Sequence, residues 1–130
     1  MGSFLLDSNV IINFLLNKPS TVKLIEDFLN SGDVLVTSVI CIAEVQLGVK
    51  ENEKEKTDMF ADSLEVFDVT VEIGRIGAFY VREYKKKGVT LNLIDCLVAA
   101  TCVLNNLILV TYNKRHFEIP GLKLYDMKDY

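Results

Sequence analysis

The stretch SFLLD, residues 3–7, places most constraint on the fold, because it reads as a short strand with no polar face. Such a strand has to be covered on both sides. The segments that follow supply the cover. SNVIINFLL (8–16) reads as a helix capped by Ser8 or Asn9, and PSTVKLIEDFLNSG (19–32) as a second, with Pro19 near its start and Gly32 as a stop. DVLVTS (33–38) is a strand, and Ser38 caps the very apolar helix SVICIAEVQLGVK. Residues 51–67 begin charged and become amphipathic, and EVFDVT (65–70) holds a short strand. VEIGRIGAFYVREYKKKG (71–88) is a long helix closed by Gly88, and NLIDCLVAATCVLNN (92–106) a buried one. LILVTY (107–112) and GLKLYD (121–126) are the last strands. Strands alternating with helices predict an α/β domain with a mostly parallel sheet. In such sheets the functional cleft lies outside the carboxyl ends of the strands. Asp7 ends the first strand, and Thr111 and Asn113 follow the fourth.

Length and charge narrow the function classes. A chain of 130 residues fits one domain, 1–130, and half its residues are hydrophobic, enough for a dense core. The net charge of −4 argues against a wholly basic nucleic-acid binder. One basic run, REYKKKG (82–88), makes Lys85, Lys86 and Lys87 candidate RNA contacts; its blander reading is a solvated helix end that complements the helix dipole. Cys41, Cys96 and Cys102 have no CxxC spacing and read as buried thiols of a reducing, cytoplasmic compartment. With His116 the only histidine, no zinc site is in view. The N-terminus lacks a basic region before its apolar run, so it does not read as a signal peptide. No stretch reaches the ~20 apolar residues that span a membrane.

Three carboxylates sit among apolar residues on separate elements. Glu44 lies in VICIAEVQLGV, which is apolar almost all round, so it needs a cation, a metal or hydrogen bonds, or else faces a cleft; the blander reading is an exposed helix face shared with Lys50 or Glu51. Asp95 lies in LNLIDCLVAATC, where Asn92 as helix cap and Asp95 three residues later also make a capping pair. Asp7, between strand and helix, is by itself an ordinary cap position. As a set, these anions share a cleft only if something positive neutralises them. No Lys or Arg lies within the three motifs, and hard oxygen ligands suit Mg²⁺ or Mn²⁺. Relief of like-charge repulsion then predicts that Asp7→Asn or Asp95→Asn raises the stability of the metal-free protein.

The order LLDSNVII, SVICIAEVQLGV, LNLIDCLVAATC and LVTYNKRHFEIPGLKLYD resembles the PIN-domain family, in particular the VapC-type ribonuclease toxins of toxin–antitoxin pairs. The resemblance covers essentially the whole chain. It implies a three-layer α/β/α domain with a short, mostly parallel central sheet, and an endoribonuclease dependent on Mg²⁺ or Mn²⁺. It maps the acidic quartet to Asp7, Glu44, Asp95 and Asn113, with Ser8 and Thr111 supporting it. Asp7 and Asp95 are then metal ligands, Glu44 a ligand or the group orienting the attacking water, and Asn113 a neutral hydrogen-bond partner. It also implies a homodimer and a protein antitoxin lying along apolar surface on helices 10–16 and 21–30, where Val22, Ile25 and Phe28 form a stripe flanked by Leu24 and Leu29. One departure is His116, where relatives often carry Asp or Glu.

Rival readings remain distinct. A PIN-like protein that binds RNA or a partner without cutting has no reason to keep unpaired anions. Aspartyl-phosphate enzymes resemble DxD patterns, whereas here the second position is Asn9. A purely structural reading needs a separate cap or ion pair for each carboxylate.

Overall fold

Strand β1 (Ser3–Leu6) is the middle of the structure, a computed structural model that describes residues 2–127. The other strands are β2 (Val34–Ser38), β3 (Glu65–Phe67), β4 (Ile108–Val110) and β5 (Lys123–Leu124). They form a five-stranded sheet in the order β3-β2-β1-β4-β5, and every neighbouring pair is parallel. Leu5 stands opposite Val36 on one side and Leu109 on the other. All the carboxyl ends therefore emerge on one edge.

Side-chain alternation in β1 divides the core. Phe4 and Leu6 face α1 (Ser8–Leu15) and α2 (Pro19–Asn30), joined by Leu35, Val110 and the partly buried Phe60 of α4 (Lys54–Asp62). Leu5 faces the opposite layer with Val36, Leu109 and the buried side of α6 (Leu93–Asn105); Tyr80 and Val81 of α5 (Val71–Lys86) pack against it. Helix α3 (Val39–Leu47) straddles the layers, sending Val45 into the first core and Cys41 into the second. This is the three-layer α/β/α arrangement the sequence predicts. It explains why β1 carries no polar face.

Local chemistry places the ends of the elements. Ser38 Oγ accepts from the Cys41 N–H at 3.2 Å and Thr70 Oγ1 from the Ile73 N–H at 3.2 Å, capping α3 and α5. Pro19 opens α2, where its missing N–H costs nothing. Gly88 follows α5 at φ +79, a left-handed conformation that favours glycine. Gly77 has another role: a Cβ there would lie 2.8 Å from Leu97 Cδ2, so its bare backbone lets α5 approach α6 closely.

Several expectations change. The cap of α1 is Asp7, not Ser8 or Asn9, because the strand stops at Leu6 and the extended backbone of Asp7 (φ −71, ψ 160) turns its carboxylate onto the helix end. On α2, Leu24, Ile25 and Phe28 are buried and only Leu29 is well exposed, so the stripe fills the core instead of forming a docking surface. Ring packing of Phe28 against Phe4 and Tyr125 accounts for this. Helix α3 is not enclosed: Val39, Ala43 and Leu47 are exposed, because its neighbours cover only the Cys41–Val45 side. After β4 the chain makes a 3₁₀ turn, Lys114–Phe117. Cys41, Cys96 and Cys102 are buried and free, and among the described residues no helix is long and apolar enough to cross a membrane.

Candidate active site

Parallel β1, β2 and β4 bring Asp7, Ser38 and Thr111 to one edge. The Asp7 N–H donates to the Val110 carbonyl at 3.0 Å, closing the β1–β4 seam at the point where the side chains leave the sheet. Asp7 is only 6% exposed, so its carboxylate needs donors. Oδ1 accepts from the Ser8 N–H at 2.8 Å and lies 3.7 Å from the Cys41 thiol. Oδ2 accepts from the Thr111 hydroxyl at 2.8 Å and from the Asn9 amide at 3.4 Å. Thr111 Oγ1 in turn accepts from Asn9 Nδ2 at 3.2 Å and from the Asn113 N–H at 3.0 Å. Asn9 Oδ1 accepts from the Tyr112 N–H at 3.1 Å. The network locks the loop after β4 to the start of α1.

Glu44 reaches the same place from α3. A carboxylate oxygen of Glu44, one of Asp7 and the Cys41 sulfur all lie within 4.8 Å of one another. Of the readings the sequence allows for Glu44, the structure gives the cleft-facing one: the residue stands at the open side of the cleft. Partial burial pushes its carboxyl above the ordinary range, the nearby Asp7 and Asp95 charges add to that, and a hydrogen bond from Ser8 opposes it. Asp95 enters on the first turn of α6, where its N–H donates to the Asn92 cap at 3.2 Å. Its carboxyl is also raised, chiefly by burial, with Asp7 adding to the shift and His116 opposing it. His116 Nδ1 lies 3.5 Å from Asp95 Oδ2. The structure thus brings Asp7, Glu44 and Cys41 into one close group, with Thr111 bonded to Asp7; Asp95 is not in that group and is linked to it only through the charges that shift its own and the Glu44 carboxyl.

Two groups of predicted residues stand apart from that unit. Asn113 is exposed at the head of the 3₁₀ turn; its backbone bonds to Thr111, and among the described residues its side chain makes no hydrogen bond to the carboxylates. Lys85 and Lys86 lie in the last turn of α5 with Lys87 as its cap. Lys86 pairs with Glu83 at 2.7 Å, and the Lys87 ammonium lies 5.4 Å from the Tyr84 ring centre. Tyr84 ties that helix end to the loop beyond His116, donating to the Glu118 carbonyl at 3.2 Å. Sequence reasoning missed Asn9 and Cys41 as parts of the site. Asn9 had a signal, a second polar residue just after Asp7 on an apolar helix; Cys41 had none, since a thiol there reads as core.

The donor set fits a hard divalent ion. Asp7, Glu44 and Asp95 offer oxygens, the Asp7 charge raises the proton affinity of Glu44 and Asp95, and no Lys or Arg accounts for either shift. The Cys41 thiol is a poor ligand for such an ion. Burial first, then Asp7, pushes its pKa to about 12, so it stays a protonated donor.

The PIN domain profile matches residues 4–122. The chain belongs to the PIN-domain family. Among relatives of this PIN domain, Ribonuclease VapC19 of Mycobacterium tuberculosis is 29% identical over 120 residues, covering 92% of this chain and 96% of the relative. The tRNA(fMet)-specific endonuclease VapC of Salmonella typhimurium is 30% identical over 137 residues, covering 97% and 98%. The crystal structure of DNA-bound VapBC from Salmonella typhimurium superposes with a TM-score of 0.82 at 28% identity, covering 98% of this chain and 99% of that one. That of VapBC2 from Rickettsia felis, bound to a promoter DNA fragment, gives 0.82 at 25% identity, covering 95% and 97%.

Proposed function

We propose that this PIN domain is an endoribonuclease dependent on Mg²⁺ or Mn²⁺, acting as the toxin of a toxin–antitoxin pair. The observation that carries the reading is the meeting of Asp7 and Glu44 within 4.8 Å at the carboxyl edge of the sheet, with Asp95 electrostatically coupled to both. The relatives named as VapC ribonucleases support it.

The residues divide the work. Asp7 and Asp95 hold the ion; Glu44, the most open of the three, holds it too or accepts a proton from the attacking water. A bound divalent ion supplies Lewis acidity at the phosphodiester and the counter-charge that lets an anionic RNA approach. Thr111, Asn9 and the Ser8 N–H keep the Asp7 oxygens in place, and the Ser8 hydroxyl favours the ionised form of Glu44 against its burial. Asn113, exposed beside Thr111, donates a neutral hydrogen bond to a phosphate oxygen. Lys85, Lys86 and Lys87 receive the RNA backbone further out.

The partner is a protein antitoxin, as the VapBC complexes among the structural neighbours support. Its place is an apolar groove of about 200 Å³ on the same α1–α3 pair that carries Asp7 and Glu44, lined by Ile12, Leu16, Val45, Val49 and Lys56. Exposed Phe79, Leu93 and Ile94 on α5 and α6 support a homodimer. The test is a panel of labelled RNAs incubated with EDTA-treated protein, then with Mg²⁺ or Mn²⁺ restored. Cleavage only on restoration is expected. Full cleavage in EDTA contradicts the metal reading, and RNA binding without cleavage supports a non-catalytic PIN-like binding protein instead.

A further inference from the structure

Between Thr111 and Glu118 the chain runs from the Asp7 carboxylate to the end of α5, and it does so on a basic turn. At the first end, the Thr111 hydroxyl donates to Asp7 and its oxygen accepts from the Asn113 N–H, while the Tyr112 N–H donates to Asn9. The Tyr112 hydroxyl is bonded to Thr21 of α2, so two helices hold the entry to the turn. At the other end Phe117 is buried, and the Glu118 carbonyl accepts from Tyr84, one residue before the run Lys85–Lys87. Between these anchors Lys114, Arg115 and His116 are exposed.

The fold does not use all of this charge. Lys114 has Asp126 at 3.7 Å, an exposed pair worth little, and His116 has Asp95 at 3.5 Å. Arg115 makes no hydrogen bond or ion pair among the described residues. It helps to line an open recess of about 220 Å³ together with Thr111, Asn113 and His116. Thr111 is the residue bonded to Asp7, so the recess adjoins the carboxylates. A planar fork of N–H donors with no partner in the protein suits an anion with several oxygens, and a phosphate is such an anion.

We propose that Arg115 binds a backbone phosphate of the RNA where the strand passes from the lysines at the end of α5 to the carboxylates. The inference deepens the ribonuclease reading and rests on it. In a chain of net charge −4, a polyanion that reaches an acidic cleft needs positive charge along its path, and the turn lies on that path. A contact of this kind positions a strand without reading its sequence. Arg115 therefore sets where the strand lies over the carboxylates and leaves the choice of base to other groups.

The test is binding of a short fluorescein-labelled single-stranded RNA to the Asp95→Asn protein with Mn²⁺ present, so that the strand is held and not cut. Arg115→Gln is compared in that background with Lys123→Gln. The second variant removes the same charge at the opposite edge of the sheet, where exposed Lys123 begins β5 beside Asn106. Arg115→Gln is expected to weaken binding about fivefold or more and to flatten the log–log salt slope by about 0.7, the share of one phosphate. Lys123→Gln is expected to leave both nearly unchanged. Equal effects from the two variants, or none from Arg115→Gln, overturn the proposal while leaving the nuclease reading intact. Failure of the Asp95→Asn protein and of the wild type to bind RNA at any salt concentration defeats both.

Discussion

At the residue scale, Asp7 and Glu44 carry the same charge in opposite circumstances. Asp7 is buried and held by Ser8, Asn9, Thr111 and Cys41, besides capping α1. An amide there loses an acceptor and places an N–H₂ group against donors. Asp7→Asn is therefore expected to destabilise the metal-free protein by about 1–2 kcal/mol in urea denaturation, as for a missing cap. This reverses the gain expected from charge repulsion alone; a higher unfolding midpoint in the variant would contradict it. Glu44 behaves oppositely. Its folded pKa is raised above the ordinary 4.5, so its favourable contribution is full below that value and is lost as pH rises through the folded one. Glu44→Gln is expected to raise the melting temperature of metal-free protein at neutral pH, with the gain shrinking on acidification toward pH 4.5. A gain independent of pH contradicts that assignment. Both positions stand out in the sequence as acids among apolar residues. Their different environments do not, because the donors to Asp7 come from Thr111, a hundred residues away in the chain, and from Cys41 on another helix.

At the element scale, the packing of α5 on α6 controls where Asp95 points. Gly77 is what allows the helices to close, since a side chain there meets Leu97 and the Cys96 backbone. Gly77→Val is expected to cost about 1–3 kcal/mol of stability by overpacking and to lower RNA cleavage, because α6 carries Asp95. Denaturation together with cleavage assays checks both; unchanged values in the two would show that the helices have slack. The element order is legible in the sequence because β1 has no polar face and Ser38, Gly32 and Gly88 mark helix ends by backbone chemistry. The faces of α2 and α3 are not legible. Periodicity shows that Ile25 and Phe28 share a stripe, but only the sheet and Tyr125 decide that the stripe faces inward. In α3 apolar residues ring the helix, so sequence alone hides that Leu47 is 88% exposed.

At the scale of the whole molecule, an acidic protein has to bring a polyanion to an acidic cleft. The run Lys85–Lys87 is the approach proposed for it, and the bond from Tyr84 to Glu118 ties that helix end to the loop that carries His116. Replacing all three lysines with Gln is expected to weaken RNA binding and flatten its salt dependence by about 0.7 in log–log slope for each phosphate no longer neutralised, with little change in the rate at saturating RNA. An unchanged slope identifies the run as a solvated helix end. Central to all of this is that the carboxylates act together on a metal at the sheet edge. The most direct test is the single-turnover rate of RNA cleavage at saturating Mn²⁺ for the wild type and Asp95→Asn, with melting curves to show that both are folded. Joint action predicts a loss of at least about 100-fold in the variant with the fold intact; cleavage near the wild-type rate would contradict it.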